Sequence, residues 1–422
     1  MNFNESFIVI AIRSFISIGL ATPIKLFIPE IDYMSIIGIA IFIYFCLSFY
    51  FRLGKAMPIR ELIILIALIQ WVIAPVLSYH FFQKSEFYYM SIDEGRYMGF
   101  VVPATFCLIL GLVIPLGSGT NNQVEEFEKE NPEYFLKRGR VLLILGLISF
   151  LLIPLVPYGF TYFFVLLSHT SIIGSFYILK SKSRYKYLLI FIAFVPVLIG
   201  AANSAVFHEA FIWGGFLLVM LTYFNKSLTL SKPLMLAFLC FSIFLINSVK
   251  QELRESVWAS DYEELSPGQI SNKFISKEGQ GTLATKNAGK LFGLVGNKLS
   301  KEDNGSVIKD DNKQIFVDRL NQGWIIARIM YAVPQYIPYG DGETIMEGIY
   351  AALLPRFLAP NKAISGGHKN FERFTGMKLT GTSMNLGIIG EAYANFGESE
   401  GMLFILVYGF FFNIVFIFII KR

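Results

Sequence analysis

The sequence has little charge and almost no cysteine. Charged residues make up only 16% of its 422 residues, against about 25% in an average soluble domain. Its three cysteines provide neither a disulfide framework nor the ligand spacing of a metal site. The net charge of +5 is small for this length and is spread over short clusters rather than one face. These shortages exclude a cytosolic enzyme, a disordered chain and a nucleic-acid-binding protein.

Long apolar runs dominate instead. Hydrophobic residues form 54% of the chain, and the mean hydropathy is +0.55. A helix needs about 20 apolar residues to cross a bilayer, so the sequence predicts an all-α polytopic membrane protein with ten spans. The predicted spans are about 7–23, 34–51, 61–79, 97–116, 141–157, 160–179, 187–202, 209–224, 233–249 and 402–420. Arg13 lies inside the first span and is expected to face a partner helix or to reach the membrane surface.

Basic residues lie in every second connection between these spans, which predicts the orientation. By the positive-inside rule both termini and the basic connections are cytoplasmic. One such connection, within 117–140, mixes both charges and predicts a surface helix, with a solvated connector as the alternative. The basic residues of these connections and of the chain end are Arg52, Lys55, Arg60, Lys129, Lys137, Arg138, Arg140, Lys180, Lys182, Arg184, Lys186, Lys226, Lys232, Lys421 and Arg422.

The predicted organisation has three parts. They are a nine-span bundle at 1–249, a large external loop at 250–401, and the last span with its cytoplasmic end at 402–422. Loops of this length are usually either functional or disordered. The first part of the loop, about 261–313, has little periodicity and is expected to be a mobile flap.

The second part of the loop is expected to be ordered. Apolar residues recur at helical spacing over 315–332, with Trp324 on the apolar side, and prolines then end that helix. A second short helix is predicted at 343–354. The run TSMNLGIIGEAYANFGESEG, which follows, is too short and too rich in glycine to span. It is expected to be a re-entrant or interfacial segment lining a cavity.

Several reaction classes lack their motifs. The sequence contains no G-x-x-x-x-G-K-[ST] loop and no G-x-G-x-x-G turn for a nucleotide. It also has no G-x-S-x-G elbow and no His/Cys spacing for zinc. A hydrolase, a protease or a metalloenzyme is therefore disfavoured.

External basic residues stand out because they run against the orientation rule. Lys250 and Arg254 follow the ninth span and share one helical face, which suits a lipid phosphate group. The alternative is a pair that anchors the helix end at the interface. Arg356 lies between two prolines with Lys362 nearby, in a setting that suits anion capture or is simply an ordinary basic loop.

Arg319 lies on the first loop helix, and an exposed ion pair with its neighbour Asp318 is its simplest explanation. Two residues are candidates for acid–base chemistry. Glu391 is the only acid in an apolar, small-residue run, and burial there would suit it to proton transfer. His368 lies near basic residues that favour its neutral, basic form. Pairing of Glu391 with an arginine in helix packing is the alternative.

The runs PRFLAPNK and TGTSMNLGIIGEAYANFG, followed by a closing apolar span, resemble the bacterial O-antigen polymerases. The resemblance is closer to their oligosaccharide repeat-unit polymerase branch. The pattern V-K-x-x-x-R-x-x-x-W at 249–258 is also similar to the segment after the corresponding span of that branch. The layout, with many spans and one late external loop, agrees with this family.

The resemblance implies a polymerase of undecaprenyl-diphosphate-linked oligosaccharide in the bacterial inner membrane, with the large loop periplasmic. The reaction would be an inverting glycosyl transfer without metal or cofactor. Glu391 or His368 would act as base, while Tyr393 and Asn395 would orient sugars. Other implied partners are membrane lipid and a chain-length regulator protein, and nucleic acid is not expected. The residues implied for the diphosphate are Lys250, Arg254, Arg319, Arg356 and Lys362.

Three rival functions remain open. An O-antigen ligase uses the same donor but passes the glycan to a lipid A core sugar. A transporter of lipid-linked oligosaccharide predicts internal repeats and broken helices, and the sequence shows no repeat. A structural partner of a polysaccharide machine would use the loop as a docking surface.

Overall fold

The structure is a computed structural model, and every element in the part of the chain that it describes is a helix. The described residues are 7–53, 58–82, 88–114, 132–156, 158–204, 208–224, 314, 317–353, 367–378 and 384–421. The predicted span at 233–249 and the predicted flap at 261–313 lie outside these ranges.

Fifteen α-helices are described here in chain order. They are α1 (Phe7–Ala21), α2 (Ile24–Phe27), α3 (Tyr33–Arg52), α4 (Ile59–Leu68), α5 (Ala74–His80), α6 (Glu94–Val113), α7 (Pro132–Leu152), α8 (Tyr158–Ser168), α9 (Thr170–Lys180), α10 (Lys186–Ser204), α11 (His208–Phe224), α12 (Gly323–Ala332), α13 (Glu343–Leu353), α14 (His368–Thr375) and α15 (Gly387–Lys421). A π-helix, Ile69–Ile73, joins α4 to α5, and a 3-10 helix, Ile153–Leu155, follows α7.

The chain is an all-α, multi-pass membrane protein. Seven helical stretches within the described ranges are long and apolar enough to cross a membrane. They are Ile8–Phe27, Tyr33–Arg52, Ile59–His80, Glu94–Val113, Pro132–Leu155, Phe163–Lys180 and Gly387–Phe418. The predicted seventh and eighth spans coincide with the shorter apolar stretches Lys186–Gly200 and Ile212–Leu221. The count of ten spans therefore stays a prediction.

The chain forms two compact units. The first consists of Met1–Phe51, Pro58–Asn121 and Lys313–Arg422, and the second of Arg52–Met57 and Asn122–Asn312. The first unit is discontinuous in sequence, so its core combines the early spans with the end of the chain. Helices α1–α6 and α12–α15 belong to the first unit, and α7–α11 to the second.

Glycines let α6 and α15 of the first unit approach closely. A side chain at Gly111 would meet the backbone of α15 at Leu406 and Phe410. Gly409 lies against Leu108 in the same way. Small residues permit such close packing between helices in a membrane, where no hydrophobic force drives them together. Buried Asn413 fixes the crossing, since its Nδ2 donates to the carbonyl of Gly111 at 3.2 Å.

Arg13 is buried in the first unit and faces α3, as expected. Its guanidinium lies 3.5 Å from Ser48 Oγ and 5.6 Å from the ring centre of Phe51. Both residues belong to the last turns of α3. The arginine therefore meets polar and aromatic groups of a partner helix instead of hydrocarbon.

The segment before α12 is bonded to the π-helix of the third span. A π-helix disturbs the regular backbone hydrogen bonds, and such bulges often occur at functional sites. The carbonyl of Gln70 accepts from the amide of Gln322 at 3.2 Å, and the carbonyl of Trp71 accepts from Tyr97 Oη at 2.9 Å. Asn321 is buried and donates to Ser78 Oγ at 2.7 Å.

The first loop helix differs from its prediction. The sequence predicts one helix over 315–332, but the helix is interrupted at Asn321 and Gln322, and α12 starts at Gly323. The bonds to the third span explain the break, because they engage backbone and side-chain groups on other helices. The second predicted helix, 343–354, corresponds to α13. Most of α12 is buried, so it belongs to the core of the first unit.

The second unit packs α7 against α9 through small residues. The Cα positions of Gly139 and Gly174 face each other's backbone, and Gly146 faces the backbone at Ser171. Helix α7 begins at Pro132, nine residues before the predicted span, and so contains the end of the predicted surface helix. The earlier part of that predicted helix, through residue 131, lies outside the described residues.

Helix α15 is 35 residues long and contains a kink at Gly397. The φ angle there is +74° and ψ is −155°, a conformation that is essentially available only to glycine. The part before the kink, which begins at Gly387, lies within the stretch 382–401 that is predicted to be re-entrant or interfacial. The part after it contains the predicted last span.

Candidate functional site

A polar cavity of about 460 Å³ lies in the first unit beside the start of α12. Three separate parts of the chain build it: the connection between α5 and α6, the segment around the start of α12, and the start of α15. The lining residues are Tyr88, Asp318, Arg319, Gln322, Trp324, Ile325, Met384, Asn385 and Gly387. This volume lies within the usual range of small-molecule sites, about 300–1,000 Å³.

Aromatic rings form one wall of the cavity. Trp324 is only 3% exposed, and its ring meets Tyr88 edge-on with the centroids 5.3 Å apart. On another side Trp324 contacts Phe371 of α14, at a centroid distance of 6.1 Å. Such edge-to-face contacts hold aromatic side chains in fixed positions. The cavity therefore has a rigid apolar wall beside its polar groups.

Two charged residues, Asp318 and Arg319, lie side by side in the same cavity. Asp318 is 7% exposed, so the expected exposed ion pair is wrong for this residue. Gln314 Nε2 donates to Asp318 Oδ1 at 2.8 Å and also to the carbonyl of Phe82 at 3.2 Å. Packing against the third span therefore buries the carboxylate that sequence reasoning assigned to solvent.

Gly367 lies beside this cavity, at the start of α14. Gly367 has φ +65° and precedes α14. A side chain there would collide with Asn385 Oδ1, which belongs to a lining residue. Gly367 is thus required both by its backbone conformation and by its close approach to the cavity wall.

Glu391 belongs to a hydrogen-bond network near the start of α13. Its Oε2 accepts from Thr344 Oγ1 at 2.6 Å and from Asn395 Nδ2 at 3.3 Å. Asn395 is 1% exposed, and its Oδ1 accepts from the amide of Gly342 at 3.1 Å. The network joins the turn before α13 to the part of α15 that precedes its kink. Among the described residues, Glu391 is not part of the cavity lining.

Tyr393 lies on another face of α15. Its hydroxyl is hydrogen-bonded by Arg96, and its ring contacts Phe100 at a centroid distance of 5.0 Å. Arg96 also donates to the carbonyl of Met330 at 3.2 Å. Burial raises the pKa of neighbouring Tyr339, and nearby carboxylates raise it further.

An ion pair joins α13 to α14. Arg373 Nη1 donates to Glu343 Oε2 at 2.7 Å. This hydrogen bond and charge hold the pKa of Glu343 below its ordinary value. The first two residues of α13 thus contact two different helices, since Glu343 binds α14 and Thr344 binds α15.

The structure separates the predicted site residues. Arg319 lines the cavity, Glu391 and Asn395 share one network, and Tyr393 lies in a third environment. Their catalytic and binding roles stay predictions. His368 begins α14, and its side chain lies outside the described part of the molecule. Four further predicted residues also lie outside it: Lys250, Arg254, Arg356 and Lys362.

Sequence reasoning did not propose most of the cavity residues as a site. Tyr88, Gln322 and Asn385 carry no motif, and their meeting depends on contacts between distant parts of the chain. Trp324 was expected only as an apolar helix residue. The one available signal was the pair Asp318–Arg319 just before a tryptophan in a loop predicted to be external.

Comparison with protein-family models, with curated proteins and with solved structures found no match to this chain.

Proposed function

We propose that this chain is a membrane glycosyltransferase that polymerises undecaprenyl-diphosphate-linked oligosaccharide repeat units for O-antigen or another surface polysaccharide. The transfer takes place at the periplasmic face of the bacterial inner membrane. It inverts the anomeric carbon and uses no metal or cofactor. The donor's sugar–diphosphate bond drives the reaction, so the missing nucleotide motifs agree with this proposal.

The cavity at the start of α12 is the observation that carries the proposal. Arg319 supplies a cation for the diphosphate, which an arginine fork can bind through two oxygens. Gln322 and Asn385 supply amides for sugar hydroxyls, and Trp324 and Tyr88 supply an aromatic wall for a sugar ring. Cation, amides and aromatic rings together suit a ligand that is both anionic and glycosidic.

The proposed base and the proposed cation come from different elements. Glu391 was the candidate base, and the present geometry links it to Thr344 and Asn395. The residues proposed for the diphosphate besides Arg319 are Lys250, Arg254, Arg356 and Lys362, and His368 stays the second candidate base.

The test is a surface-polysaccharide gel from a strain that lacks this protein, with lipid-linked intermediates extracted in parallel. The proposal expects lipid A core that carries a single repeat unit and no ladder. Long polymer that accumulates on the undecaprenyl carrier, with bare core, would instead identify an O-antigen ligase. Normal fractions in both extracts would exclude both enzymes and favour a transporter or a docking protein.

Complementation of the deletion strain with variant genes tests the role of the cavity itself. The wild-type gene should restore the ladder, and Arg319→Gln should restore it poorly because the cavity loses its cation. A matched control is Lys369→Gln, which removes an exposed cation paired only loosely with Glu347, at 3.6 Å. That variant should restore the ladder fully. Equal restoration by both variants would contradict the role of the cavity.

A further inference from the structure

We propose that Asp318 is the group that accepts the proton of the acceptor hydroxyl during glycosyl transfer. This inference rests on the proposed function and changes one of its assignments. It gives the role of base to a residue that the sequence suggested only as the partner in an exposed ion pair.

Asp318 lies inside the proposed reaction cavity. A general base must come within hydrogen-bond reach of the proton that it removes. Asp318 lines the cavity in which Arg319 would hold the leaving diphosphate. Glu391 is absent from that lining within the described residues, and its Oε2 binds Thr344 and Asn395. Asp318 is therefore the carboxylate next to the proposed reacting bond.

The surroundings of Asp318 hold its carboxylate in a fixed position. The side chain is 7% exposed, and Gln314 holds Oδ1 at 2.8 Å. Gln314 is in turn fixed by the carbonyl of Phe82. A carboxylate that is already held in position can act on a bound hydroxyl without first reorganising.

In the proposed step, one proton is transferred, one bond forms and one bond breaks. The acceptor hydroxyl gives its proton to the Asp318 carboxylate while its oxygen forms a bond to the anomeric carbon of the donor. The bond from that carbon to the diphosphate oxygen breaks, and the electron pair leaves with the diphosphate. Arg319 stabilises the charge that develops on the leaving group. The proton passes from Asp318 to water when the undecaprenyl diphosphate and the longer glycan depart.

Asp318→Asn is a sharp variant because it preserves the observed contact. The amide oxygen of asparagine can accept the same hydrogen bond from Gln314, but asparagine cannot take up a proton. An Asp318 whose role is to accept this hydrogen bond should therefore tolerate the change. A base should not, since general base catalysis contributes about 10²–10⁴-fold.

The experiment uses the full chain in proteoliposomes, with lipid-linked repeat units extracted from the deletion strain as substrate. Wild type, Asp318→Asn, Glu391→Gln and the exposed control Glu400→Gln are compared by kcat and KM. We expect Asp318→Asn to lower kcat by at least 100-fold with KM changed less than threefold, and Glu400→Gln to equal wild type. Size-exclusion profiles of the purified variants show whether each is folded.

The outcomes are separable. Loss of kcat in Asp318→Asn with an unchanged profile supports the inference. Retention of more than a third of the wild-type kcat in Asp318→Asn overturns it, and loss confined to Glu391→Gln returns the role to Glu391. If wild type itself makes no polymer from these units, the proposed function fails, and the inference fails with it.

Discussion

At the scale of single residues, buried polar groups hold this molecule together through specific partners. Thr344, Glu391 and Asn395 illustrate this, since one hydroxyl, one carboxylate and one amide satisfy one another at the junction of α13 and α15. Leaving a buried polar group without a partner costs about 1–3 kcal/mol. Each member of this network should therefore matter for stability, whatever it does in catalysis.

Thr344→Val tests that statement. Valine has nearly the same shape but cannot donate to Glu391 Oε2 or accept from Asn395 Nδ2, so we expect a loss of about 1–3 kcal/mol in stability. The measurement is thermal unfolding in detergent. Thr105→Val is the control, because within the described residues Thr105 Oγ1 bonds the Val101 carbonyl of its own helix alone. A melting temperature equal to that of the control would count against the network.

A pH-dependent prediction follows from Glu343. Arg373 holds the pKa of this carboxyl below its ordinary value, so the pair stabilises the fold above the unfolded pKa and stops doing so as the pH falls through the folded pKa. Glu343→Gln should lower the melting temperature slightly at pH 7, since exposed pairs contribute little. The difference from wild type should vanish at acidic pH. A difference that persists there would contradict this assignment.

At the scale of elements, the crossing of α6 and α15 depends on glycines, which have no side chain to separate the two helices. Gly111→Leu places a side chain against the backbone of Leu406 and Phe410, and we expect a loss of about 1–3 kcal/mol or complete failure to assemble. Gly99→Leu on the same helix has open space around its Cα and is the matched control. Membrane abundance and melting temperature distinguish the two, and equal behaviour would contradict the packing.

The helices could be predicted from the sequence where neighbouring residues alone determine their start and end. Apolar length alone predicts the spans, and helical spacing with a following proline predicts the end of α12 at Ala332. The break at Asn321 and Gln322 was not predictable, because its cause is a set of bonds to Gln70 and Ser78. These partners are distant in sequence and lie on another helix.

The candidate site was less predictable than the elements. Arg319 was assigned to the diphosphate only through the resemblance to the O-antigen polymerases, and that role stays a prediction. Asp318 is buried, and Tyr88 and Asn385 line the same cavity. Predicting this from the sequence would have required knowing which distant segments of the chain meet. Glu391 was noticed for its apolar surroundings, yet the same surroundings also suit a buried structural carboxylate, and the sequence alone contains nothing that separates the two roles.

At the scale of the whole molecule, the orientation in the membrane is a testable prediction. We expect a cysteine at position 336, where Tyr336 is 63% exposed, to react with an impermeant maleimide in intact spheroplasts. A cysteine in place of Lys182 should react only after permeabilisation, because its loop is predicted to be cytoplasmic. The three native cysteines are first replaced by serine. The reverse labelling pattern would show that the topology is inverted, and it would contradict the proposed periplasmic location of the cavity.

The discontinuity of the first unit has a consequence for biogenesis. Its early spans enter the membrane while the ribosome has yet to make α12 and α15, the helices that cover Phe100 and Trp71. The core of this unit is therefore completed only near the end of translation. Nascent chains that stop before residue 313 would lack α12 and α15 and leave α6 uncovered, and membrane quality-control proteases should remove them rapidly.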